Sequence, residues 1–324
     1  MERTSQPRHN AMNGVRSINE SLPTEGSIPA QPVFVIGKNR SGTKWLSNLI
    51  ANHSDVACLQ REGAGGILET DIFSSIPNIF GSLSIEENYL AFLAFYSQNN
   101  EFRLMGLDKK VLGTRRARDY FEFNRYIMDK YAEKEGKKFW LQKSSVENFG
   151  RLYQAYPEAK FVVIEREIEA NIRSTRGLQL LNQEPYSSVL RETVSCIWAH
   201  KTLNQFQKRE NVFAVRFEQL CSDKAQVVQK VCSFLNIPYE KEMLTDRFEK
   251  NTSFKAGVQK DKILSRQELF LIRVFAPLLA LIPYKLFKII YLGWRSLRHF
   301  IAKPKRKFVR GSFALAKNDF GWKG

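Results

Sequence analysis

The sequence shows none of the residue clusters that metal centres, disulfide scaffolds or Ser/His/Asp active sites require. Its four cysteines (Cys58, Cys196, Cys221 and Cys232) have no CxxC or metal-ligand spacing. Four cysteines in a chain of 324 residues do not make a disulfide framework, which favours a reducing compartment. We therefore expect no structural metal, and we see no nucleic-acid-binding motif.

The first part of the chain lacks any long apolar run. Residues 1–30 are polar and contain three prolines. They show neither the apolar core of a signal peptide nor a membrane anchor. We predict a disordered tail over 1–30, and the absence of a secretory signal favours the cytoplasm.

Acidic residues are scarce beside basic ones, with 33 Asp and Glu against 50 Lys and Arg and a formal charge of +17. Such a charge suits an anionic ligand, a nucleic acid or an anionic membrane surface, and it does not choose among them. With 43% apolar residues the chain can bury a core, so global disorder is excluded. Its length suits one large α/β domain, with or without appendages.

The most informative stretch is residues 32–50. Residues 33–36 form a short β-branched and aromatic run, residues 38–42 a polar turn, and apolar residues then recur at helical spacing. This pattern predicts a buried strand, a glycine-containing turn and a helix start. The free N–H groups of such a turn and the helix dipole favour an anion, and Lys38, Arg40 and Lys44 add positive charge.

The turn is not a Walker A motif. Gly37 and Gly42 have the right spacing, but Thr43-Lys44-Trp45 follows where Gly-Lys-Ser/Thr is required. No hydroxyl is therefore placed for Mg²⁺, which disfavours a metal-dependent NTPase. A P-loop kinase stays as an alternative that Mg²⁺-dependent ATP turnover would support.

Three later segments repeat the pattern of an apolar run followed by polar residues. They are Val56–Leu59, Lys137–Lys143 and Ala159–Ile164. The last is followed by Arg166 and, eight positions on in a predicted helix, by Ser174. Because parallel strands end at one edge of a sheet, where open α/β folds bind ligands, these residues are expected to converge.

The Arg-Ser-Gly-Thr-x-Trp-Leu turn resembles the 5′-phosphosulfate loop of sulfotransferases that use 3′-phosphoadenylyl sulfate (PAPS), and Arg166 with Ser174 resembles their 3′-phosphate motif. The resemblance covers roughly residues 32–255 and is closest to the carbohydrate, heparan-type and bacterial branch with a glutamate base. It implies a P-loop-like α/β fold, with a central parallel sheet flanked by helices, and a metal-independent reaction with PAPS as co-substrate.

The resemblance also implies which residues bind PAPS. An arginine binds phosphate through charge-assisted hydrogen bonds, and a hydroxyl adds a neutral donor. Phe217 stands where the family has an adenine-contacting tyrosine, and core packing is an equal alternative for Phe254. The implied binding residues are Arg40, Ser41, Gly42, Thr43, Lys44, Trp45, Arg166, Ser174, Phe217, Thr252 and Phe254.

The implied catalytic residues are Glu62, Arg40 and Lys143. Glu62 lies 22 positions beyond Arg40, the spacing of the heparan-type base, so we expect it to deprotonate the acceptor. A surface glutamate paired with Arg61 is the alternative. Arg40 cannot serve as a proton donor, so its expected role is electrostatic. Lys143 is either a transition-state cation or a solvated lysine near a strand end, and Ser145 replaces the histidine of the cytosolic branch.

The composition changes from Gln267. We predict a sulfotransferase domain over 31–262, an amphipathic helical extension over 263–303 and a basic tail over 304–324. Residues 295–323 carry nine Lys and Arg and one acid. Two interpretations stay open for 268–323, namely peripheral contact with an anionic membrane, and helices packed on the core with a basic tail.

The acceptor is expected to be a small molecule, a carbohydrate or a lipid-linked sugar that presents a hydroxyl or an amine. The glutamate-base pattern favours a sugar or glycolipid over a phenol. A non-enzymatic basic protein that binds membrane or nucleic acid is the second alternative, although no nucleic-acid partner is expected. That alternative explains the charge of the chain, but it leaves the paired phosphate motifs unexplained.

Overall fold

The structure is a computed structural model, and it describes residues 29–61, 65–248 and 263–301, with the backbone alone over 294–301. Within these residues the fold is a parallel β-sheet covered by helices on both faces. The strands are β1 (Gln31–Gly37), β2 (Val56–Cys58), β3 (Gln60–Arg61), β4 (Gly66–Ile67), β5 (Phe139–Ser145), β6 (Lys160–Glu165) and β7 (Val212–Arg216).

Twelve α-helices are assigned in the described part of the chain. They are α1 (Thr43–Ala51), α2 (Ile76–Phe80), α3 (Glu86–Tyr96), α4 (Asn100–Met105), α5 (Tyr120–Glu135), α6 (Phe149–Ala155), α7 (Ile168–Leu181), α8 (Val189–Asn204), α9 (Phe217–Ser222), α10 (Lys224–Leu235), α11 (Arg266–Leu281) and α12 (Tyr284–Ile301). Short 3₁₀ helices cover Lys109–Gly113, Val146–Asn148 and Lys241–Leu244.

The central sheet has five strands in the order β2-β5-β1-β6-β7, and every neighbouring pair is parallel. The strands β3 and β4 form a separate antiparallel pair. The predicted P-loop-like α/β fold with a central parallel sheet is therefore confirmed. The strand that precedes the candidate loop, β1, occupies the centre of the sheet.

The side chains of β1 divide between two apolar cores. Val33 and Val35 belong to the cluster on one face, while Phe34 and Ile36 belong to the cluster on the other. This division follows from the alternation of side chains along a strand. All four are fully buried, which explains why the strand is a continuous apolar run rather than an alternating one.

An aromatic cluster fills the core under β1. The Phe34 ring stacks on Phe161 at 5.5 Å and lies 5.4 Å from Trp140 and 5.1 Å from Tyr156, measured between ring centroids. These partners come from β5, β6 and the end of α6, so one side chain ties the centre of the sheet to its neighbours. Aromatic pairs of this kind add to the free energy of burial.

The topology determines where a ligand site can form. After β1 the chain moves to β2 and β5 on one side of it, and then to β6 and β7 on the other. At the carboxyl ends of β1 and β6, the chain therefore leaves the two strands in opposite directions. Open α/β sheets bind ligands in the crevice that forms at such a point. The loop that joins β1 to α1 lies there.

The predicted C-terminal helices are present as α11 and α12. The N-terminus of α11 has a capping box, in which Ser265 and Glu268 each bond the other's backbone N–H. No single helix in the described ranges is long and apolar enough to cross a membrane, although α11 and the first part of α12, bent by 119°, pass that test together. The domain boundaries near residues 30, 262 and 303 stay predictions.

We expect Phe34→Ala to lower the free energy of unfolding by about 3–5 kcal/mol, because it opens a cavity among the rings of Phe161, Trp140 and Tyr156. Urea denaturation followed by circular dichroism measures this loss. Phe270→Ala is the matched control, since Phe270 is 65% exposed and Phe34 fully buried. Equal losses for the two variants would contradict the packing described for β1.

Candidate functional site

The loop between β1 and α1 has a backbone that depends on glycine at both ends. Arg40 and Gly42 have positive φ angles of 69° and 92°. A Cβ atom on Gly42 would lie 2.4 Å from Cδ2 of Phe217, and one on Gly37 would lie 2.7 Å from the carbonyl oxygen of Ile164. The loop is thus in close contact with the end of β6 and the start of α9, and a larger residue at either position would displace it.

Two residues that follow β6 hold this loop in place. Nδ2 of Asn171, on α7, donates to the carbonyl oxygen of Asn39 and to Oγ of Ser41, both at 3.0 Å. Nη1 of Arg166 donates to the carbonyl oxygen of Arg40 at 2.9 Å. Asn171 was not predicted from the sequence. Its position three residues before Ser174, on the same face of a helix, was the signal that could have identified it.

The predicted phosphate-binding residues form one connected cluster. Nε of Arg40 donates to Oγ of Ser174 at 3.1 Å, and Ser174 is buried. Arg166 contacts the same loop through its bond to Arg40. The residues expected at the 5′ and 3′ ends of the nucleotide are therefore adjacent in space, although more than 120 positions separate them in the chain.

Arg166 lies over an aromatic ring. Its guanidinium carbon is 4.2 Å from the centroid of Phe217, which orients the charged group and shields one face of it. Trp45 meets the same ring edge-on, with 6.2 Å between centroids, and donates from Nε1 to Asp246. Phe217 therefore supports Arg166 directly, a role that the resemblance did not indicate.

The cluster has hydrogen-bonding capacity that fits an anion. The buried Nε of Arg166 has no partner among the described residues. No side chain of the described residues caps the N-terminus of α1. The first N–H groups of a helix have no partner within the helix, so those of α1 are available to a ligand. Burial, and then repulsion by the charge of Arg166, lower the pKa of Arg40. A bound phosphate would satisfy the donor and relieve the repulsion.

Lys143, near the carboxyl end of β5, is buried and paired. Its side chain is 7% exposed and its Nζ forms an ion pair with Glu69, whose side chain is 59% exposed. The structure thus excludes the solvated lysine that was one alternative for this residue. Burial, and also the charges of Lys44 and Arg40, lower the pKa of Lys143, while Glu69 opposes that shift.

The sequence does not predict Glu69 as a residue of the site. It forms an isolated parallel bridge with Lys143, which places its carboxylate at the edge where the loop opens. Burial alone would raise the pKa of Glu69, but the charges of Lys143 and Lys44 lower it below its ordinary value. No spacing rule points to Glu69, because its contact with Lys143 joins residues that are far apart in the chain.

Lys38 differs from the other loop cations. Its Nζ lies 3.3 Å from Oε2 of Glu192, on α8, so its charge is balanced within the protein. The sequence places Lys38 among the charges of the anion site, but in the structure it forms an ion pair that joins the loop to α8. Arg40, Lys44, Lys143 and Arg166 remain as the cations of the cluster.

Three predicted site residues, Glu62, Thr252 and Phe254, lie outside the described residues. Their roles stay predictions. Among the residues that the structure describes, no group of three His, Cys, Asp or Glu side chains is arranged to hold a metal ion.

The sequence matches the model of the sulfotransferase family over residues 32–241. That range includes the loop, Lys143, Arg166, Ser174 and Phe217. No curated protein matches the chain. The match confirms the predicted family and the predicted enzyme class.

Several solved structures resemble the chain at low identity. The sulfotransferase domain of the Synechococcus PCC 7002 olefin synthase is 15% identical, with 78% of this chain and 97% of that one covered and a TM-score of 0.46. Mouse sulfotransferase SULT7A1, solved with PAP, is 12% identical, with coverages of 83% and 90% and a TM-score of 0.46. A sulfotransferase from Alicyclobacillus acidocaldarius is 16% identical, with coverages of 77% and 92% and a TM-score of 0.43.

The family assignment rests on the sequence match, which spans most of the described chain and includes Arg40, Arg166 and Ser174. The parallel sheet and the loop after its central strand agree with it. The chain belongs to the sulfotransferase family.

Proposed function

We propose that this chain transfers a sulfuryl group from PAPS to a hydroxyl or an amine of an acceptor and releases 3′,5′-ADP. The observation that carries the proposal is the connected cluster of Arg40, Arg166 and Ser174 at the carboxyl end of the central strand. PAPS carries anionic groups at both its 5′ and 3′ positions, and this cluster offers donors for two adjacent anions. We also propose that the enzyme is cytoplasmic and that its reaction needs no metal ion.

The nucleotide would be held by residues of the loop and of α7. The N–H groups at the start of α1, with Lys44, would bind the 5′-phosphosulfate, while Arg166 and Ser174 would bind the 3′-phosphate. Trp45 and Phe217, together with Thr252 and Phe254, would line the adenine. Stacking of a base on an aromatic ring contributes roughly 1–3 kcal/mol in single-strand nucleic-acid binding.

Catalysis would depend on position and charge. The bond between sulfur and the 5′-phosphate oxygen breaks while sulfur bonds the acceptor oxygen or nitrogen, and the acceptor proton passes to a base. Arg40 and Lys143 would stabilise the charge that develops on the departing oxygen. Lys143 suits this task because it is buried, where a charge acts more strongly than in water.

We assign the base to Glu62 and the orientation of Lys143 to Glu69. A carboxylate already paired with a lysine, and with a lowered pKa, is a weak proton acceptor. The same ion pair fixes the position of Nζ of Lys143. In the sequence, Glu62 directly follows Arg61, the last described residue of β3.

The proposed acceptor is a carbohydrate or a glycolipid. The absence of the cytosolic-branch histidine at Ser145 favours a sugar hydroxyl, and the apolar C-terminal helices favour an acceptor attached to lipid. We include peripheral membrane contact through 268–323 in this proposal. A nucleic-acid partner would leave the apolar surface of these helices without a role.

The nucleotide proposal predicts micromolar binding of 3′,5′-ADP without Mg²⁺, and much weaker binding of 5′-AMP. Arg166→Ala should weaken binding of 3′,5′-ADP by about 10–100-fold, because it removes hydrogen bonds between charged groups. Isothermal titration calorimetry measures each affinity.

Arg118→Ala is the control for loss of one positive charge, since the Arg118 side chain is 90% exposed and pairs only locally with Glu122. It should bind 3′,5′-ADP as the unaltered protein does. Equal affinity for 5′-AMP and 3′,5′-ADP, or equal effects of the two substitutions, would reject the assignment of the 3′-phosphate site. Mg²⁺-dependent ATP turnover would support the kinase alternative.

The acceptor proposal predicts transfer of ³⁵S from labelled PAPS to an oligosaccharide or a glycolipid in a panel that also contains a simple phenol. The measurement is label incorporated per minute for each acceptor class. Transfer to the phenol alone would overturn the preference for a sugar hydroxyl. Lys143→Ala, which removes the buried cation, should abolish incorporation and so serves as the control for non-enzymatic labelling.

The assignment of the two glutamates predicts different effects on the best acceptor in that panel. Glu62→Gln should lower kcat by about 10²–10⁴-fold, as expected for loss of a general base. Glu69→Gln should cause a smaller loss and move the alkaline limb of the kcat profile to lower pH. The reason is that burial lowers the pKa of Lys143 and the charge of Glu69 opposes it, so removing that charge lowers the pKa further. A larger loss for Glu69→Gln would make Glu69 the base.

A further inference from the structure

Most of the exposed large apolar side chains of the described chain lie on two helices. Seventeen such residues are exposed in the described ranges, and ten of them belong to α11 and α12. We call these ten the outward face. They are Phe270, Leu271, Val274, Phe275, Leu278, Leu281, Leu286, Ile289, Ile290 and Leu292.

The opposite side of the two helices is packed on the domain. Ile272 of α11 and Phe287 and Tyr291 of α12 are buried. The Tyr291 ring stacks on Trp198 of α8 at 4.7 Å, and Nζ of Lys201 donates to the carbonyl oxygens of Ala280 and Ile282 at 2.7 Å and 2.6 Å. These contacts fix the helix pair to α8, so the outward face is held in a defined position.

The helix α11 is apolar on both of its sides. Ile272, Ala276 and Leu279 contact the core, while Phe270, Val274 and Leu278 follow one another at intervals of four on the outward face. An amphipathic helix buries one apolar stripe. The buried stripe of α11 packs on α7 and α8, and a second apolar stripe, beside the exposed Arg273, lies on the outward face. A continuous exposed apolar patch of this kind marks a surface for a protein partner or a membrane.

The charges around the outward face select between these partners. Arg266, Lys285 and Lys288 are exposed on the same two helices. The only acid between residues 263 and 301 is Glu268, which is neutralised by Arg176 at 2.7 Å. Residues 302–324, by sequence, add seven Lys and Arg and one Asp. Apolar side chains flanked by positive charges suit a bilayer of anionic lipids, because the apolar groups enter the acyl layer and the cations meet the headgroups.

We propose that the outward face of α11 and α12 is a docking surface for an anionic lipid bilayer, in which the apolar side chains enter the acyl boundary and the flanking lysines contact headgroups. This deepens the proposed function, because it names the surface from which a lipid-linked acceptor would be taken. Glu268 joins α11 to Arg176, two residues beyond Ser174, so the docked helix is bonded to a helix of the nucleotide site. The docking itself does not depend on sulfuryl transfer.

Vesicle flotation of the full-length protein tests this. We expect the protein to float with vesicles of phosphatidylcholine and phosphatidylserine, and far less with phosphatidylcholine alone. Phe270→Glu combined with Leu281→Glu should weaken flotation at least about tenfold, because two apolar side chains no longer enter the bilayer. Lys285→Glu combined with Lys288→Glu should reduce the dependence on phosphatidylserine and leave the apolar contact intact.

The matched control is Ile79→Glu combined with Leu104→Glu, two exposed apolar residues on α2 and α4. It should float as the unaltered protein does. Far-UV circular dichroism checks that each variant is folded. Calorimetry with 3′,5′-ADP then separates this proposal from the nucleotide proposal, since either can fail alone.

Three results would overturn the docking proposal. The first is an absence of flotation at low salt. The second is flotation that the Phe270 and Leu281 substitutions leave unchanged, which would make the attraction purely electrostatic. The third is a dimer, seen by analytical ultracentrifugation, that those substitutions dissociate, because a second copy of the chain would then cover the outward face.

Discussion

The contact between the loop after β1 and the segment after β6 is the constraint on which the rest of the site depends. Asn171 and Arg166 donate to backbone oxygens of the loop, and Ser174 accepts from Arg40. These bonds hold the cations Arg40 and Arg166 close together although they repel each other. The parallel strands fix their positions. The site is therefore preorganised for an anion, and the cost of assembling its charges is met by the folding of the sheet.

The same arrangement explains why the cations of the site are not equivalent. Lys38 is neutralised by Glu192 and serves to attach the loop to α8. Lys143 is buried beside Glu69, so its charge is strong and its position is fixed. Arg166 is oriented by the ring of Phe217. Each of these cations has a neighbour that balances its charge or fixes its position, and the proposed roles follow from these differences.

The structure also links two regions that the sequence presents as separate. The helices α7 and α8 hold the loop on one side and pack against α11 and α12 on the other. A membrane-facing surface would thus share its supporting helices with the nucleotide site. In this family member the region that would contact lipid and the region that would bind PAPS are parts of one packed unit.

The sequence by itself determined the fold class and the positions of Arg40, Lys143, Arg166 and Ser174, because buried strands leave continuous apolar runs and the polar residues that follow them are local in the chain. Only the tertiary structure decided that Lys38 pairs with Glu192, that Asn171 holds the loop and that Glu69 reaches Lys143. These contacts join residues that lie between 74 and 154 positions apart. No local pattern encodes such pairs, since they depend on which strands become neighbours in the sheet and on how the connecting segments pack over its edge.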